Sequence, residues 1–328
     1  MERPKAFVTR VIPEAGIERL ASAYDVDVNR ADRPLSPTEI AERAKGCMAL
    51  VTLLTDRVDG ALLDICPDVR VVANVAVGYD NVDVPAATER GVWVTNTPGV
   101  LTETTADLAW TLLMATARRI GEAERYVRAG KYHGWGILML LGGDVYGKTL
   151  GVAGFGRIGQ AVARRARGFD MRILYTDAQR APGEVEEACN AAFVDKEALL
   201  RESDFLSLHM PLLAQTRHWL GERELRSMKR TAYVVNTSRG PVIDEASLAR
   251  ALHEGWIAGA GLDVFEEEPK IHPDLLTCEN AVLVPHIGSA SVETRDRMAT
   301  IAAENCIAIA RGERPPTAVN DPRAGTRA

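Results

Sequence analysis

Three polar residues follow apolar, strand-like runs in the last third of the sequence. Arg239 follows YVVNTS, Glu268 ends the run GLDVFEEE, and His286 follows AVLVP. Open α/β sheets bind ligands beyond the carboxyl ends of their strands, so we expect these side chains at one sheet edge. A protonated histidine can donate to an oxygen that gains charge, and a carboxylate can orient and charge the ring. Arginine offers a fork of donors that suits a planar carboxylate.

Each of the three residues also has an ordinary explanation when it is taken alone. Arg239 could be a surface residue, Glu268 one of three glutamates in a solvated run, and His286 a turn residue. Their equivalent positions after neighbouring strands favour a catalytic site over these explanations. We interpret the other five histidines as structural or surface residues and predict no metal site, because no residues have metal-ligand spacing (His133, His209, His218, His253, His272).

A glycine-rich motif, KTLGVAGFGRIGQAV, precedes these residues. Gly154 permits a tight turn after an apolar strand, Gly156 lets the backbone approach a pyrophosphate, and Gly159 allows close helix–strand packing. The amides at the start of the following helix would face the phosphates. The motif therefore predicts a dinucleotide site, with further contacts from the intervening residues (Phe155, Arg157, Ile158).

The end of the next strand bears on the choice between NAD and NADP. Asp177 lies where a carboxylate accepts hydrogen bonds from the ribose of NAD and repels the 2′-phosphate of NADP. The adjacent Ala178 is also expected to contact the cofactor. Arg180 could instead hold that phosphate, and Asp177 could simply be a surface residue in a turn. We predict NAD, with NADP as the alternative.

The elements that position these residues are strands and helices in alternation, which is typical of parallel α/β folds. Five strand-like runs precede a long helix, predicted from Thr102 to about Ala129, and seven more follow it. A last helix is predicted from Ser291 to Arg311, and we expect the proline-rich tail after it to be mobile. The two series predict two doubly wound parallel sheets with a cleft between them.

Length and composition agree with a soluble protein of two domains. The chain has 328 residues, and its 39 Lys and Arg against 45 Asp and Glu give a net charge of −6, which argues against nucleic acid as a partner. No apolar run is long enough to span a bilayer, and the first residues do not resemble a signal peptide. The five scattered cysteines are expected to be free, buried thiols of a cytoplasmic protein.

The sequence resembles the D-isomer-specific 2-hydroxyacid dehydrogenase family over nearly its whole length. The segments NVAVGYDNVD, TETTADLAW, GKTLGVAGFGRIG, HMPL, NTSRG, GLDVFEEEP and PHIGSA occur in the family's order. Within the family it is most similar to glyoxylate and hydroxypyruvate reductases, particularly through WGILMLLGGDVYGKTLG. The resemblance implies a flavodoxin-like substrate domain of residues 1–99 and 290–328 and a Rossmann cofactor domain of residues 100–289.

The resemblance also implies roles for individual residues. Arg239, Glu268 and His286 match the catalytic residues, and Leu53, Val77 and Gly78 join Arg239 and His286 in binding the substrate. Further cofactor contacts, besides those of Arg239 and His286, are implied at strand and helix ends (Thr105, Met210, Pro211, Thr237, Ser238, Asp263, Gly288).

The implied reaction is NAD(P)H-dependent reduction of a small 2-keto acid, glyoxylate or hydroxypyruvate, to the 2-hydroxy acid. A D-lactate or 3-phosphoglycerate enzyme, or a dinucleotide-sensing corepressor-like protein, remains an alternative. Family members are usually homodimers, and the segment with Trp135 and Ile137–Leu141 would reach the partner. Core packing is the alternative explanation of that apolar segment.

Overall fold

The computed structural model describes residues 3–31 and 33–323. These residues form twelve strands and twelve α-helices. The strands are β1 Lys5–Val8, β2 Asp25–Val28, β3 Cys47–Thr52, β4 Val71–Asn74, β5 Trp93–Thr95, β6 Thr149–Ala153, β7 Arg172–Thr176, β8 Ala191–Phe193, β9 Phe205–Leu208, β10 Tyr233–Asn236, β11 Gly259–Leu262 and β12 Ala281–Leu283. The helices are α1 Glu14–Ala21, α2 Pro37–Ala44, α3 Gly60–Ile65, α4 Val84–Glu89, α5 Thr102–Ala117, α6 Ile120–Arg128, α7 Arg157–Ala166, α8 Gly183–Cys189, α9 Lys196–Glu202, α10 Glu222–Ser227, α11 Glu245–His253 and α12 Val292–Ala310.

The chain divides into two compact units. The first unit contains the described residues of Met1–Leu101 and Ser289–Ala328, and the second unit is Thr102–Gly288. The boundaries expected from the sequence, after residues 99 and 289, lie two residues before and one residue after those of the structure. The first unit is therefore built from both ends of the chain, and the second from one continuous segment.

The first unit is a five-stranded parallel sheet in the order β2-β1-β3-β4-β5, which is the flavodoxin-like order. Apolar residues cover both faces of the sheet, as parallel sheets require. Helices α1 and α12 pack together so closely that a Cβ atom on Gly16 would lie 2.5 Å from that of Ala299.

The second unit is a seven-stranded parallel sheet in the order β8-β7-β6-β9-β10-β11-β12. Its first six strands follow the Rossmann order, and the direction of winding reverses between β6 and β9. Residues of β10 alternate between two cores: Val234 packs in one and Val235 in the other. The predicted fold class, two doubly wound α/β domains, is confirmed.

The predicted single helix from Thr102 to about Ala129 is wrong, because it is broken after Ala117. Arg119 has a left-handed backbone (φ +53°), and the carbonyl of Ala117 accepts the N–H of Gly143 instead of continuing the helix. The Arg119 side chain also donates to Leu141 O at 3.2 Å. Contacts with a later segment of the chain thus separate α5 from α6.

The predicted last helix is confirmed, with the Ser291 side chain accepting the N–H of Thr294 as its N-cap. The tail was expected to be mobile, and its described part contradicts this. Val319 donates to Val94 O at 2.8 Å, and Ala318 forms an antiparallel bridge with Thr95. Unpaired backbone groups on the edge strand β5 bind the tail, so residues 318 and 319 extend the sheet.

The expected free, buried cysteines are confirmed for all five residues.

The alternative prediction that the apolar segment before the second sheet packs in the core is wrong, since Trp135 is 77% exposed and Leu138 78% exposed. Among the described helices, none combines the length and apolar character needed to cross a membrane.

Candidate active site

The glycine-rich loop follows β6 at the switch point of the second sheet. Gly154 has φ +89°, and a Cβ atom on it would lie 2.7 Å from the carbonyl carbon of His209. A Cβ atom on Gly159 would lie 2.2 Å from the carbonyl oxygen of Gly154. Gly156 would meet nothing within 4 Å, and it precedes α7 without a side-chain cap. Packing within the protein therefore requires two of the glycines, whereas the third leaves the start of α7 open to a ligand.

The residues between the glycines have different surroundings. The ring of Phe155 is buried and stacks on Tyr175, with centroids 3.9 Å apart, and its carbonyl accepts the Gln160 side chain. Ile158 is half-buried against the core, and Arg157 is exposed at the first position of α7. The backbone of this loop and the exposed Arg157 side chain are therefore placed to contact a cofactor.

Asp177 lies directly after β7 and is hydrogen-bonded to the glycine loop. Its carboxylate accepts the N–H of Phe155 at 2.5 Å and the N–H of Ala178 at 2.6 Å. The bond to Phe155 fixes an acidic group beside the loop. This is the location from which a carboxylate can accept hydrogen bonds from the ribose of NAD.

Arg180 is engaged by a carboxylate. Its guanidinium makes two bonds of 2.9 Å to Glu186, which also accepts the hydroxyl of Tyr175 at 2.6 Å. The hydrogen bonds from Arg180 and Tyr175 lower the pKa of Glu186 to about 2. Glu186 therefore stays charged near neutral pH and competes with a 2′-phosphate for Arg180.

Five buried side-chain polar atoms lack a hydrogen-bond partner within the described residues, and two of them lie directly after β9 and β10. These two are Nδ1 of His209 and Oγ1 of Thr237. His209 bonds to Ser207 through Nε2, and burial lowers its pKa to about 3. Met210 and Pro211 continue from His209, with Met210 buried and Pro211 exposed. Unsatisfied polar atoms at this sheet edge, beside a glycine cradle, fit a bound dinucleotide.

The other predicted cofactor contacts lie at the same edge and also hold one another. Thr105 Oγ1 donates to Gly288 O at 3.0 Å, and Asp263 accepts the N–H of Gly288 at 2.8 Å. Ser238 donates through its N–H and its hydroxyl to Asn236 Oδ1, at 3.0 and 2.8 Å. These bonds fix the backbone that follows β10, β11 and β12.

Arg239 projects from the turn after β10. Its carbonyl accepts the side chain of Asn236 at 3.0 Å, and its guanidinium donates to Ser238 O at 2.9 Å. The next residue, Gly240, packs on the backbone of Phe265, where a Cβ atom would lie 1.9 Å from the carbonyl carbon. The turn with Arg239 therefore rests directly on the segment that leads to Glu268.

Glu268 and His286 form a pair. Glu268 Oε2 lies 2.8 Å from His286 Nδ1, and its Oε1 accepts the N–H of Phe265 at 3.1 Å. His286 has a left-handed backbone (φ +53°), and its N–H donates to Asp263 O at 2.8 Å. Nε2 of His286 has no hydrogen-bond partner within residues 3–31 and 33–323, and the side chain is partly exposed. The ring is thus oriented on one side and open to a ligand on the other.

The pKa values of the two carboxylates near His286, Glu268 and Asp263, are shifted in opposite directions. Partial burial raises the pKa of Glu268, but the hydrogen bond and charge of His286, with the N–H of Phe265 and the charge of Arg239, together lower the pKa overall. Burial raises the pKa of Asp263 to about 6, although the N–H groups of Ile287 and Gly288 donate to it. Glu268 is therefore the carboxylate that is hydrogen-bonded to the ring, and Asp263 holds the backbone after it.

In the first unit, Val77 and Gly78 follow β4. Neither N–H has a hydrogen-bond partner among the described residues, whereas the neighbouring carbonyls are held. Asn96 donates to Val77 O at 2.8 Å and Asn74 donates to Gly78 O at 2.9 Å. Because a trans peptide points its N–H away from its C=O, holding the Val77 carbonyl also directs the N–H of Gly78. Two free, adjacent amides suit an anion such as a carboxylate.

Leu53, the remaining predicted substrate contact, lies just after β3. Its N–H donates to Asp56 at 2.7 Å, and its carbonyl accepts Asn81 at 3.0 Å. Only its side chain is left to contact a ligand. Our reading of the sequence missed the asparagines that hold this region. The available signal was Asn74, a polar residue that ends the otherwise apolar strand VVAN.

Comparison with known proteins gives the family. Residues 110–288 match the family model for the NAD-binding domain of D-isomer-specific 2-hydroxyacid dehydrogenases. A glyoxylate reductase of Korarchaeum cryptofilum is 58% identical over 321 residues, covering 97% of this chain and 96% of that protein. A glyoxylate reductase of Thermococcus gammatolerans is 54% identical over 322 residues, covering 97% and 96%. The NADPH-dependent glyoxylate/hydroxypyruvate reductase of Sinorhizobium meliloti, solved with NADP and malonate, is 33% identical with a TM-score of 0.88 and 98% coverage of each chain. The chain belongs to the D-isomer-specific 2-hydroxyacid dehydrogenase family, as the motifs predicted.

Proposed function

We propose that this protein is an NAD(P)H-dependent reductase of small 2-keto acids, with glyoxylate and hydroxypyruvate as its substrates. The observation that carries the proposal is the pair of Glu268 and His286, 2.8 Å apart, at the ligand-binding edge of a sheet with a glycine-rich loop. Relatives at 54–58% identity that are glyoxylate reductases support the same activity.

The protein's residues divide the work of reduction. NADH or NADPH, when bound along the glycine loop and Asp177, supplies the hydride that reduces C2 of the keto acid. His286 donates a proton from Nε2 to the carbonyl oxygen, which gains negative charge as C2 is reduced. Glu268 holds the ring by Nδ1 and stabilises its charged form, and Arg239 binds the substrate through its guanidinium. The amides of Val77 and Gly78 bind the substrate carboxylate.

We propose that NADH is preferred over NADPH. Asp177 supports this preference because its carboxylate would repel a 2′-phosphate, and Arg180 is engaged by Glu186.

A steady-state assay of the purified enzyme with NADH and with NADPH, against a panel of 2-keto acids, tests cofactor and substrate together. Higher kcat/KM for pyruvate or 3-phosphohydroxypyruvate would indicate one of the related dehydrogenases. Negligible turnover of every acid despite NADH binding would indicate a dinucleotide-sensing protein.

We expect Glu268→Gln to lower the pH at which reduction declines, by about one unit. Glu268 Oε2 lies 2.8 Å from Nδ1 of His286, and an ionised carboxylate at this distance favours the protonated ring. Glutamine has no charge, the ring loses its proton at lower pH, and reduction needs that proton. The pH dependence of kcat should be compared with that of Glu267→Gln, whose exposed side chain serves as the control. A profile that matches the parent would contradict the pairing.

We propose that the protein is a homodimer joined through residues 120–141. This segment carries a concentration of exposed apolar side chains, which mark interaction sites on soluble proteins (Ile120, Val127, Tyr132, Trp135, Ile137, Leu138, Leu141). Light scattering on the purified protein gives the mass in solution. Leu138→Ser should weaken the dimer, and Leu276→Ser, an exposed leucine elsewhere in the second unit, should not. A parent that is monomeric at micromolar concentration would refute the proposal.

We also propose that the protein acts in the cytoplasm, where buried thiols stay reduced. Cell fractionation followed by the activity assay would test this location. Activity recovered outside the cytoplasmic fraction would contradict it.

A further inference from the structure

A buried carboxylate lies in the first turn of α11, close to the candidate catalytic residues but outside their set. Glu245 is 7% exposed. Its Oε2 accepts the N–H of Glu266 at 2.9 Å, and its Oε1 accepts the N–H of His272 at 2.9 Å. Each carboxylate oxygen therefore has its own backbone donor.

The two donors lie on opposite sides of Glu268. Glu267 and Lys270 pair across a tight turn, with the N–H of Lys270 donating to Glu267 O at 2.9 Å, and Glu268 lies at its tip. Glu266 lies in the segment that enters this turn, and His272 lies in the segment that leaves it. Glu245 thus holds both sides of the turn that presents Glu268 to His286.

Glu245 is not needed as the cap of its helix. Asp244 is the N-cap of α11, and its side chain accepts the N–H and hydroxyl of Ser247 at 3.1 and 2.9 Å. Glu245 also follows Arg239 by only six residues. Its bonds therefore join the segment that carries Arg239 to the turn that carries Glu268.

Glu245 and Glu266 lie close together, but each carboxylate has its own partners. The carboxylate of Glu266 bonds to His218 at 2.6 Å and lies 3.5 Å from Arg217. Its other oxygen accepts the N–H of Glu245 at 3.3 Å. Glu266 is thus compensated by basic partners of its own, and Glu245 is held by backbone donors.

We propose that Glu245 is a positioning residue that sets the Glu268 carboxylate against Nδ1 of His286. The inference rests on the proposed reductase function, because it assigns Glu245 to the proton-donating pair. A glutamine at this position keeps the shape of the side chain but has only one acceptor oxygen. Its NH₂ group would face an N–H, so one side of the turn would be released.

The test compares the parent with Glu245→Gln, Glu268→Gln and the double variant, with Glu254→Gln at the end of α11 as the control. We expect Glu245→Gln to lower kcat by about tenfold and to move the pH at which reduction declines in the same direction as Glu268→Gln. The Kd of NADH, from fluorescence quenching, should change less than about twofold. In the double variant, Glu245→Gln should add no further pH shift, because the residue acts through Glu268.

An unshifted pH profile in Glu245→Gln, or a shift that adds to that of Glu268→Gln, would overturn the proposal and leave a purely structural role. If Glu245→Gln does not fold, Glu245→Asp, which keeps the charge and shortens the reach, serves in its place. A parent without keto-acid reductase activity would refute the proposed function instead. The positioning role would then be read by NMR titration of the His286 ring, identified by its absence from His286→Ala. An identical titration in the parent and Glu245→Gln would overturn it.

Discussion

Replacement of His286 by alanine is expected to reduce kcat for keto-acid reduction by about 10²–10⁴-fold, the usual loss when a general acid is removed. The structure supports this role because Glu268 holds Nδ1 and Nε2 is left without a partner in the described part of the chain. Alanine removes the proton donor but leaves the glycine loop and Asp177 unchanged. The Kd of NADH, measured by fluorescence quenching, should therefore stay close to that of the parent.

His253→Ala is the matched control for this variant. His253 ends α11, is exposed, and bonds to the carbonyl of Asp274 at 3.1 Å. Its loss should leave kcat nearly unchanged. A His286→Ala enzyme with a kcat within a few fold of the parent would remove His286 from the mechanism and direct attention to Arg239 as the group that polarises the carbonyl.

Alanine substitution should separate the two roles of glycine in the cofactor loop. Gly154→Ala places a methyl group 2.7 Å from the backbone of His209 and demands a left-handed conformation. The conformation alone costs about 1–2 kcal/mol, and the clash adds to it, so we expect a Tm lowered by several degrees and weak NADH binding. The backbone clash cannot be relieved by rotating a side chain.

Gly156→Ala should weaken NADH binding without lowering the stability of the fold. Its added methyl group meets nothing within 4 Å in the protein, and its φ of −73° suits alanine, so the Tm should stay within about one degree of the parent. The methyl group would occupy the space that the pyrophosphate needs, and NADH affinity should fall about tenfold or more, which corresponds to about 1.4 kcal/mol. Unchanged NADH affinity in Gly156→Ala would show that the cofactor does not approach the loop there.

The sequence was most informative where residue type and local backbone demand coincide. Every predicted strand of both sheets is present, because buried parallel strands are nearly continuous apolar runs. The sequence predicts that Arg239, Glu268 and His286 lie near one another, because parallel strands end at a common edge. It does not predict the distance of 2.8 Å between Glu268 and His286, because that distance depends on the turn between them.

The features that sequence reasoning missed depend on contacts between distant segments. The break between α5 and α6 follows from the bond of Gly143 to Ala117 O, and no local signal in this alanine- and leucine-rich stretch ends a helix there. The tail was expected to be mobile because of its prolines, yet its backbone pairs with β5. Glu245 looks like an ordinary first-turn glutamate, and only the folded chain brings Glu266 and His272 to it.

The two-ended construction of the first unit has a consequence for the order in which the molecule forms. Strand β1 begins at Lys5, but α1 packs on α12, where Gly16 meets Ala299, and the hydroxyl of Tyr24 donates to Cys306 O at 2.6 Å. These contacts close a loop of nearly the whole chain, whereas every strand of the second unit lies within one continuous segment. During synthesis the second unit can reach its native contacts first, and the N-terminal strands must wait on the ribosome for their last helix. Until then the face of the first sheet that packs on α12 lacks that cover.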